Sequence, residues 1–77
     1  MEKEKFYTIQ DKVISEINAR IASSGKSELE ICRLTGMNRN SLRNIRAHRG
    51  ELTIVKMLTL CSSLDLDPTA VFKQAFV

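Results

Sequence analysis

Residues 27–47 have the sequence SELEICRLTGMNRNSLRNIRA, which predicts two short helices joined by a tight turn. Ser27 followed by Glu30 has the spacing of a capping box, so a helix is expected to begin there. Gly36 can adopt the left-handed backbone conformation that ends a helix, and Asn38 can cap the next one. We therefore predict a helix-turn-helix at about residues 27–47.

Positive charge is concentrated in the second of these helices and in the loop after it. Residues 38–50 contain no acidic residue and four arginines, which are Arg39, Arg43, Arg46 and Arg49. The whole chain has 12 Lys+Arg and 9 Asp+Glu for a net charge of +3, so the remainder carries a slight negative excess. A localised basic patch creates a field at one surface, which favours an anionic partner such as nucleic acid.

The N-terminal part of the chain predicts another helix. Apolar residues recur at helical spacing from Phe6 to Ile21, which indicates a first helix over residues 8–23 that ends at Gly25. A short strand over residues 6–9, pairing across a dimer, is the alternative.

Two more helices are predicted after the helix-turn-helix. Thr53 is an N-cap candidate for a helix over residues 54–64, and Asp67 followed by Pro68 is typical of the start of a last helix that ends near residue 75. The helix over residues 54–64 has so few polar side chains that we expect it to be nearly buried. The broad apolar arc of residues 28–34 likewise predicts a helix that is covered on more than one side.

One all-α domain of five short helices is therefore the predicted architecture of residues 1–77, a length that suffices for one small core. Cys32 and Cys61 lack metal-ligand spacing and are expected to be free, buried thiols, with a disulfide as the alternative. There is no apolar run of about 20 residues and no signal-peptide pattern, so we expect a cytoplasmic protein without membrane contact.

The sequence contains no arrangement typical of catalysis or of metal binding. We find no nucleophile paired with a base, no phosphate-binding glycine loop and no paired carboxylates with a catalytic role. His48 is the single histidine and has no ligand partner at suitable spacing. The chain is therefore predicted to be no enzyme and to need no metal or cofactor.

The apolar positions resemble those of the lambda-repressor-like, Cro-type (XRE) helix-turn-helix DNA-binding domains. The resemblance covers about residues 25–72, and the step of nine residues from Ile45 to Ile54 equals the usual spacing in that family. The matching anchors are Ile31, Cys32, Gly36, Met37, Leu42, Ile45, Ile54, Leu58, Cys61, Leu64, Leu66 and Asp67.

The resemblance implies a function in transcription, with the third helix in the major groove of double-stranded DNA. The positions that match the base-reading face are Arg39, Asn40, Arg43 and Asn44, whose side chains suit guanine and adenine. Contacts to phosphates, or roles in positioning, are expected for Lys26, Ser27, Glu28, Ser41, Arg46, Arg49 and Thr53.

The same resemblance implies a homodimeric repressor on a roughly palindromic operator, associated with the nucleoid when it is bound to DNA. The C-terminal residues Phe72, Phe76 and Val77 exceed the apolar area that one small core needs, so they are candidates for the dimer surface.

Three positions depart from the family pattern. Glu28 stands where glutamine is common, and a carboxylate there repels phosphate unless it faces away or binds an arginine. The third, recognition helix is expected over residues 39–47. His48 stands where a glycine usually ends this helix, so an extension to Gly50 is the alternative. Ile21 stands where many members carry arginine, so packing is expected in place of an ion pair.

Two other functions stay open from the sequence. A protein-interaction module, antitoxin-like or an adaptor, would keep the fold and use its apolar C-terminus on a partner, and exposure of Leu34 and Leu52 would favour it. Binding of structured RNA is less favoured, because the one tyrosine and three phenylalanines are not interleaved with the arginines.

Overall fold

The computed structural model describes residues 3–77 and forms five α-helices in that part of the chain. They are α1 (Lys3–Ser24), α2 (Glu28–Thr35), α3 (Arg39–Arg46), α4 (Ile54–Ser63) and α5 (Pro68–Ala75). The prediction of an all-α chain with five helices is confirmed for the described residues. The radius of gyration of 12.0 Å is that of a compact chain of this length.

The first helix begins five residues before its predicted start at residue 8, so the alternative strand over residues 6–9 is wrong. Near this start, Gln10 joins α1 to another part of the chain. Its side-chain amide donates to the carbonyl of Gly50 at 3.0 Å and accepts from the backbone N–H of Leu52 at 2.8 Å. These bonds tie the first turns of α1 to the loop before α4, which the local sequence pattern does not reveal.

The four predicted N-caps are confirmed. The side chains of Ser27, Asn38, Thr53 and Asp67 each accept a backbone N–H two or three residues later, at 2.8–3.2 Å. Gly36 ends α2 with a φ of 75°, a left-handed conformation that costs glycine little. The turn over residues 36–38 therefore separates α2 from α3 as the sequence predicted.

The core lies where α1 packs against α3 and α5, and where α4 packs against α2 and α5. Each fully buried aliphatic side chain contributes roughly 1.5–3 kcal/mol of transfer free energy. The largest completely buried side chains are Ile14, Ile17, Ile31, Leu42, Leu60, Cys61 and Leu64. Ile21 is also buried, which confirms packing at that position, and Cys32 and Cys61 are buried free thiols, so no disulfide joins them.

The expectation that α4 is nearly buried is wrong. The second helix packs against both α3 and α4, so it is covered on more than one side as predicted, although it also exposes two leucines. Leu29 and Leu34 of α2 are 58% and 55% exposed, and in α4 Ile54, Val55 and Leu58 are 66%, 73% and 45% exposed. The reason is the small number of helices. Because α4 packs mainly against α2 and α5, the side that carries Ile54 and Val55 faces solvent in spite of its apolar sequence.

The third helix ends near residue 47 as predicted, and the alternative extension to Gly50 is wrong. His48 itself adopts the left-handed conformation, with a φ of 60°. Its N–H donates to the carbonyl of Ile45 at 3.0 Å, and the N–H of Arg49 donates to that of Asn44 at 2.9 Å. These two bonds form a Schellman motif, which ends the helix at the position where glycine is usual.

Two cations from the first half of the chain bind the carboxyl end of α4. Arg20 Nε donates to the carbonyl of Leu64 at 3.0 Å, and its Nη2 donates to that of Asp65 at 3.3 Å. Lys26 Nζ donates to the carbonyl of Ser63 at 2.9 Å. Positive groups at this end also interact favourably with the helix dipole, so they hold α4 against the end of α1.

Candidate nucleic-acid interface

The third helix has one buried face and one exposed polar face. Leu42 and Ile45 are 0% and 6% exposed and anchor the helix in the core. The four predicted base-reading residues, Arg39, Asn40, Arg43 and Asn44, are all exposed. Their positions, i, i+1, i+4 and i+5, make them neighbours on one side of the helix, so the structure brings this predicted set together.

Glu28, at the start of α2, binds two of these arginines. Its Oε1 lies 3.3 Å from Arg39 Nε, 3.1 Å from Arg43 Nε and 3.1 Å from Arg43 Nη2, and its Oε2 lies 3.3 Å from Arg43 Nε. The Glu28 side chain is 22% exposed, whereas each arginine side chain is 59% exposed. The carboxylate therefore lies beneath the arginines and binds them, which is one of the two arrangements in which it does not repel phosphate.

The electrostatics of this contact favour the ionised carboxylate. The hydrogen bond from Arg43 holds the pKa of the Glu28 carboxyl below its usual value, and the positive charges of Arg43 and Arg39 act in the same direction against partial desolvation. Two arginines and one carboxylate leave a net charge of +1 at this point of the surface.

Arg46 is held between α1 and α3 by Asn18. Arg46 Nε donates to Asn18 Oδ1 at 3.1 Å, and Asn18 Nδ2 donates back to the carbonyl of Arg46 at 3.0 Å. Both residues are half-buried, and they line a shallow groove together with Glu28, Arg43 and Ala47. The bonds to Asn18 use only Nε of the guanidinium group, so the Nη groups of Arg46 are left for an anion in the groove.

Asn18 was not among the predicted site residues, although it positions one of them. Its only signal in the sequence is an amide at the edge of the apolar stripe of α1, next to Ile17 and one turn from Ile14 and Ile21. A polar residue in such a place usually has a hydrogen-bond partner, but the partner belongs to a helix that lies 28 residues away along the chain.

The remaining predicted phosphate contacts fall into different environments. Ser27 and Thr53 are exposed N-caps whose oxygens accept backbone N–H groups, which leaves each hydroxyl hydrogen for another acceptor. Arg49 is exposed beside α3, with Nη1 3.4 Å from Asn44 Oδ1, and Ser41 is half-buried.

Lys26 lies apart from most of the predicted set. Its ammonium group binds the end of α4 and lines a groove between α2 and α4 that also contains Leu34 and Leu58. This groove does not include Glu28 or the arginines of α3, so the structure does not bring Lys26 to the face that carries the other predicted contacts.

A second surface feature is an apolar cleft between the start of α1, the start of α4 and the end of α5. Phe72 and Phe76 lie along one side of it, with ring centroids 6.3 Å apart and ring planes tilted by 31°. We call it the apolar cleft, and its lining residues are Phe6, Ile9, Gln10, Val13, Leu52, Thr53, Ile54, Met57, Phe72 and Phe76.

No protein-family model, no curated protein and no solved structure matches the chain. In the part of the chain that the structure describes, no three His, Cys, Asp or Glu side chains cluster in a way that suits a metal ion. None of the helices within residues 3–77 combines the length and the apolar character that crossing a membrane requires.

Proposed function

We propose that this chain is a sequence-specific binding protein for double-stranded DNA that regulates transcription, with α3 as the helix that enters the major groove. One observation carries the proposal. The exposed face of α3 consists of Arg39, Asn40, Arg43 and Asn44 and contains no acidic residue, while the opposite face is buried in the core. An ordinary solvated helix face mixes both signs of charge.

The chemistry of this face suits the edges of base pairs. Arginine donates two hydrogen bonds to O6 and N7 of guanine, and asparagine pairs with N6 and N7 of adenine. The major groove is wide enough to admit one α-helix. Arg46 and Arg49, at the end of α3, are suited to the phosphates that flank such a groove, since their Nη groups keep hydrogen-bond donors.

The lambda-repressor-like arrangement belongs to the same proposal. Its support is the sequence resemblance together with the order of the elements, in which α2, a three-residue turn and α3 are followed by α4 and α5. In that arrangement α2 lies across α3 and supports it at the groove.

Homodimerisation through the apolar cleft is part of the proposed mode of action, because a pair of recognition helices reads a palindromic site. Phe6 is 48% exposed and Phe76 is 64% exposed, so with about 200 Å² per phenylalanine the two rings expose roughly 200 Å². A standard interface buries about 800 Å² per partner. The rings supply about a quarter of this area, and Ile54 and Val77, 66% and 94% exposed, extend it.

A matched pair of variants tests the dimer. Phe76→Ser removes an exposed ring from the apolar cleft, whereas Leu34→Ser removes a similarly exposed apolar side chain from the groove between α2 and α4. We expect sedimentation equilibrium to report a dimer for the unmodified chain and for Leu34→Ser, and a monomer for Phe76→Ser. Loss of the dimer in Leu34→Ser alone would locate the interface on the other groove.

Selection of bound sites from a random duplex pool tests DNA recognition. We expect enrichment of a roughly palindromic site with half-sites about 10 base pairs apart. Arg43→Ala should lose the preference at one or two base positions of each half-site, whereas Lys73→Ala removes the same charge from the exposed face of α5 and should leave the preferences unchanged. A pool without enrichment would contradict the proposal.

A protein-interaction module, antitoxin-like or an adaptor, is the second candidate, and one observation favours it. Leu34 and Leu58 are 55% and 45% exposed and line one groove between α2 and α4. Leu52 does not add to this exposed surface, because it is half-buried in the apolar cleft. This candidate predicts a tight protein complex and no enriched DNA sequence, so the same selection distinguishes the two functions.

A further inference from the structure

Glu28 contacts one edge of the Arg43 guanidinium group and leaves another edge free. The carboxylate of Glu28 lies at 3.1–3.3 Å from Nε and at 3.1 Å from Nη2 of Arg43. These two nitrogens form the side edge of the planar group. The end edge, with N–H groups on Nη1 and Nη2, is directed away from the carboxylate.

We infer that Glu28 is a positioning residue that holds Arg43 so that the end edge of the Arg43 guanidinium group pairs with O6 and N7 of a guanine. The inference rests on the proposed DNA-binding function and deepens it by assigning one base. Guanine presents two acceptors in the major groove, whereas adenine presents one acceptor and one donor at the corresponding positions. A guanidinium group that offers two donors in a fixed plane therefore discriminates between the two purines.

The ion pair also lowers the entropy that binding costs. A free arginine side chain loses rotamer freedom when it contacts DNA, whereas one that is already held by a carboxylate loses less of it. The carboxylate also occupies the Nε–Nη2 edge of the Arg43 guanidinium group, which leaves the Nη1–Nη2 edge for a contact with DNA.

Glu28 holds Arg39 less firmly than Arg43, so the inference concerns Arg43. Arg39 makes one hydrogen bond to Glu28, from Nε at 3.3 Å, whereas Nε of Arg43 bonds both carboxylate oxygens and its Nη2 lies 3.1 Å from one of them. A single contact leaves the plane of the Arg39 guanidinium group free to rotate. We therefore assign the guanine to Arg43.

Glu28→Gln is the decisive variant, and Glu30→Gln is its matched control. Both remove one negative charge from the first turn of α2, but the exposed Glu30 side chain makes no ion pair within the described chain. Loss of a negative charge alone strengthens binding to all duplexes alike. The measured quantity is the ratio of affinities for the selected duplex and for one in which guanine is replaced by adenine at the position that depends on Arg43.

We expect Glu28→Gln to lower this ratio about tenfold, since a bidentate pair supplies a discrimination of that order, and Glu30→Gln to leave it unchanged. The double variant Glu28→Gln/Arg43→Ala should discriminate no less than Arg43→Ala alone. Glu28→Asp keeps the charge but shortens the reach, and we expect it to lower the ratio as Glu28→Gln does. Circular dichroism of each variant checks that α2 and α3 are retained.

Equal ratios for Glu28→Gln and Glu30→Gln would overturn the inference, because Glu28 would then act only through its charge. A selected site without guanine at the position sensitive to Arg43→Ala would overturn it as well. In both cases the DNA-binding function would stand. Absence of sequence-selective binding by the unmodified protein would instead contradict the proposed function, and the inference would fall with it.

Discussion

The contact between α1 and α3 can be tested by replacing Asn18 with alanine. Asn18 makes two side-chain hydrogen bonds to Arg46, at 3.0 and 3.1 Å. One is an amide–carbonyl bond worth about 1 kcal/mol, and the other, to a charged group, is worth about 1.5 kcal/mol in this half-exposed setting. Alanine regains about 0.6 kcal/mol of helix propensity. We therefore expect the free energy of unfolding to fall by about 1–2 kcal/mol.

A matched substitution on α3 provides the control. Asn40 is exposed, and its side chain makes no hydrogen bond with the described residues, so Asn40→Ala should not lower the free energy of unfolding and should raise it by at most about 0.6 kcal/mol through helix propensity. For a chain of this length about 1 kcal/mol shifts Tm by about 4–8 °C, so Asn18→Ala should lower Tm by about 4–16 °C. Thermal and urea unfolding followed by far-UV circular dichroism measures both variants. Equal Tm shifts for the two would refute this reasoning.

Two further predictions concern groups that titrate. The hydrogen bond from the Tyr7 hydroxyl to the Glu51 carboxylate, 2.9 Å long, raises the pKa of Tyr7, and the charge of Glu51 adds to it. Spectrophotometric titration of this single tyrosine should give a pKa above about 10, and in Glu51→Gln the pKa should return towards 10. The stability that this bond contributes is complete below about pH 10 and is lost as the pH rises through the pKa of Tyr7 in the folded protein. Burial raises the pKa of the Cys61 thiol, and Cys32 is buried as well. A thiol reagent should therefore modify neither cysteine in the native protein and both in urea; rapid modification of the native protein would contradict their burial.

The helix boundaries were largely predictable because they depend on local chemistry. A cap needs only a short polar side chain and a backbone N–H two or three residues later, so Ser27, Asn38, Thr53 and Asp67 were identified from the sequence and are confirmed. For α3 the end near residue 47 was predicted, whereas the alternative extension to Gly50 is wrong. At His48 a Schellman motif and the contact of its Nδ1 with Asp11 Oδ1, at 3.1 Å, accompany a conformation that usually favours glycine.

Exposure was less predictable, because the number of neighbouring helices decides it. The apolar sequence of α4 suggested burial, yet Ile54 and Val55 face solvent since no element covers that side within the described chain. Periodicity indicates which residues are able to be buried. It does not indicate whether a second helix, or a second copy of the chain, is present to bury them.

The candidate site was predictable as a set of residues but not as a geometry. The exposed face of α3 follows from helical spacing and from the two inward residues, Leu42 and Ile45. The ion pairs of Glu28 and the bonds of Asn18 join different helices, so they depend on crossing angles that local patterns do not contain. The bond from Lys26 to the end of α4 likewise joins segments that are far apart in the chain, so the sequence did not reveal it.

The salt dependence of DNA binding tests the central claim most directly. Each phosphate that a protein contacts contributes about −0.9 to the slope of log K against log salt concentration. If Arg46 and Arg49 of each protomer contact phosphates, a dimer has about four such contacts and the slope is about −3.6 or steeper. Fluorescence anisotropy with the selected duplex and with a scrambled duplex gives the slope and the selectivity together. We predict this steep slope and an affinity for the selected duplex that is at least about 1,000-fold higher than for the scrambled duplex. A slope near zero, or equal affinity for the two duplexes, would contradict sequence-specific DNA binding.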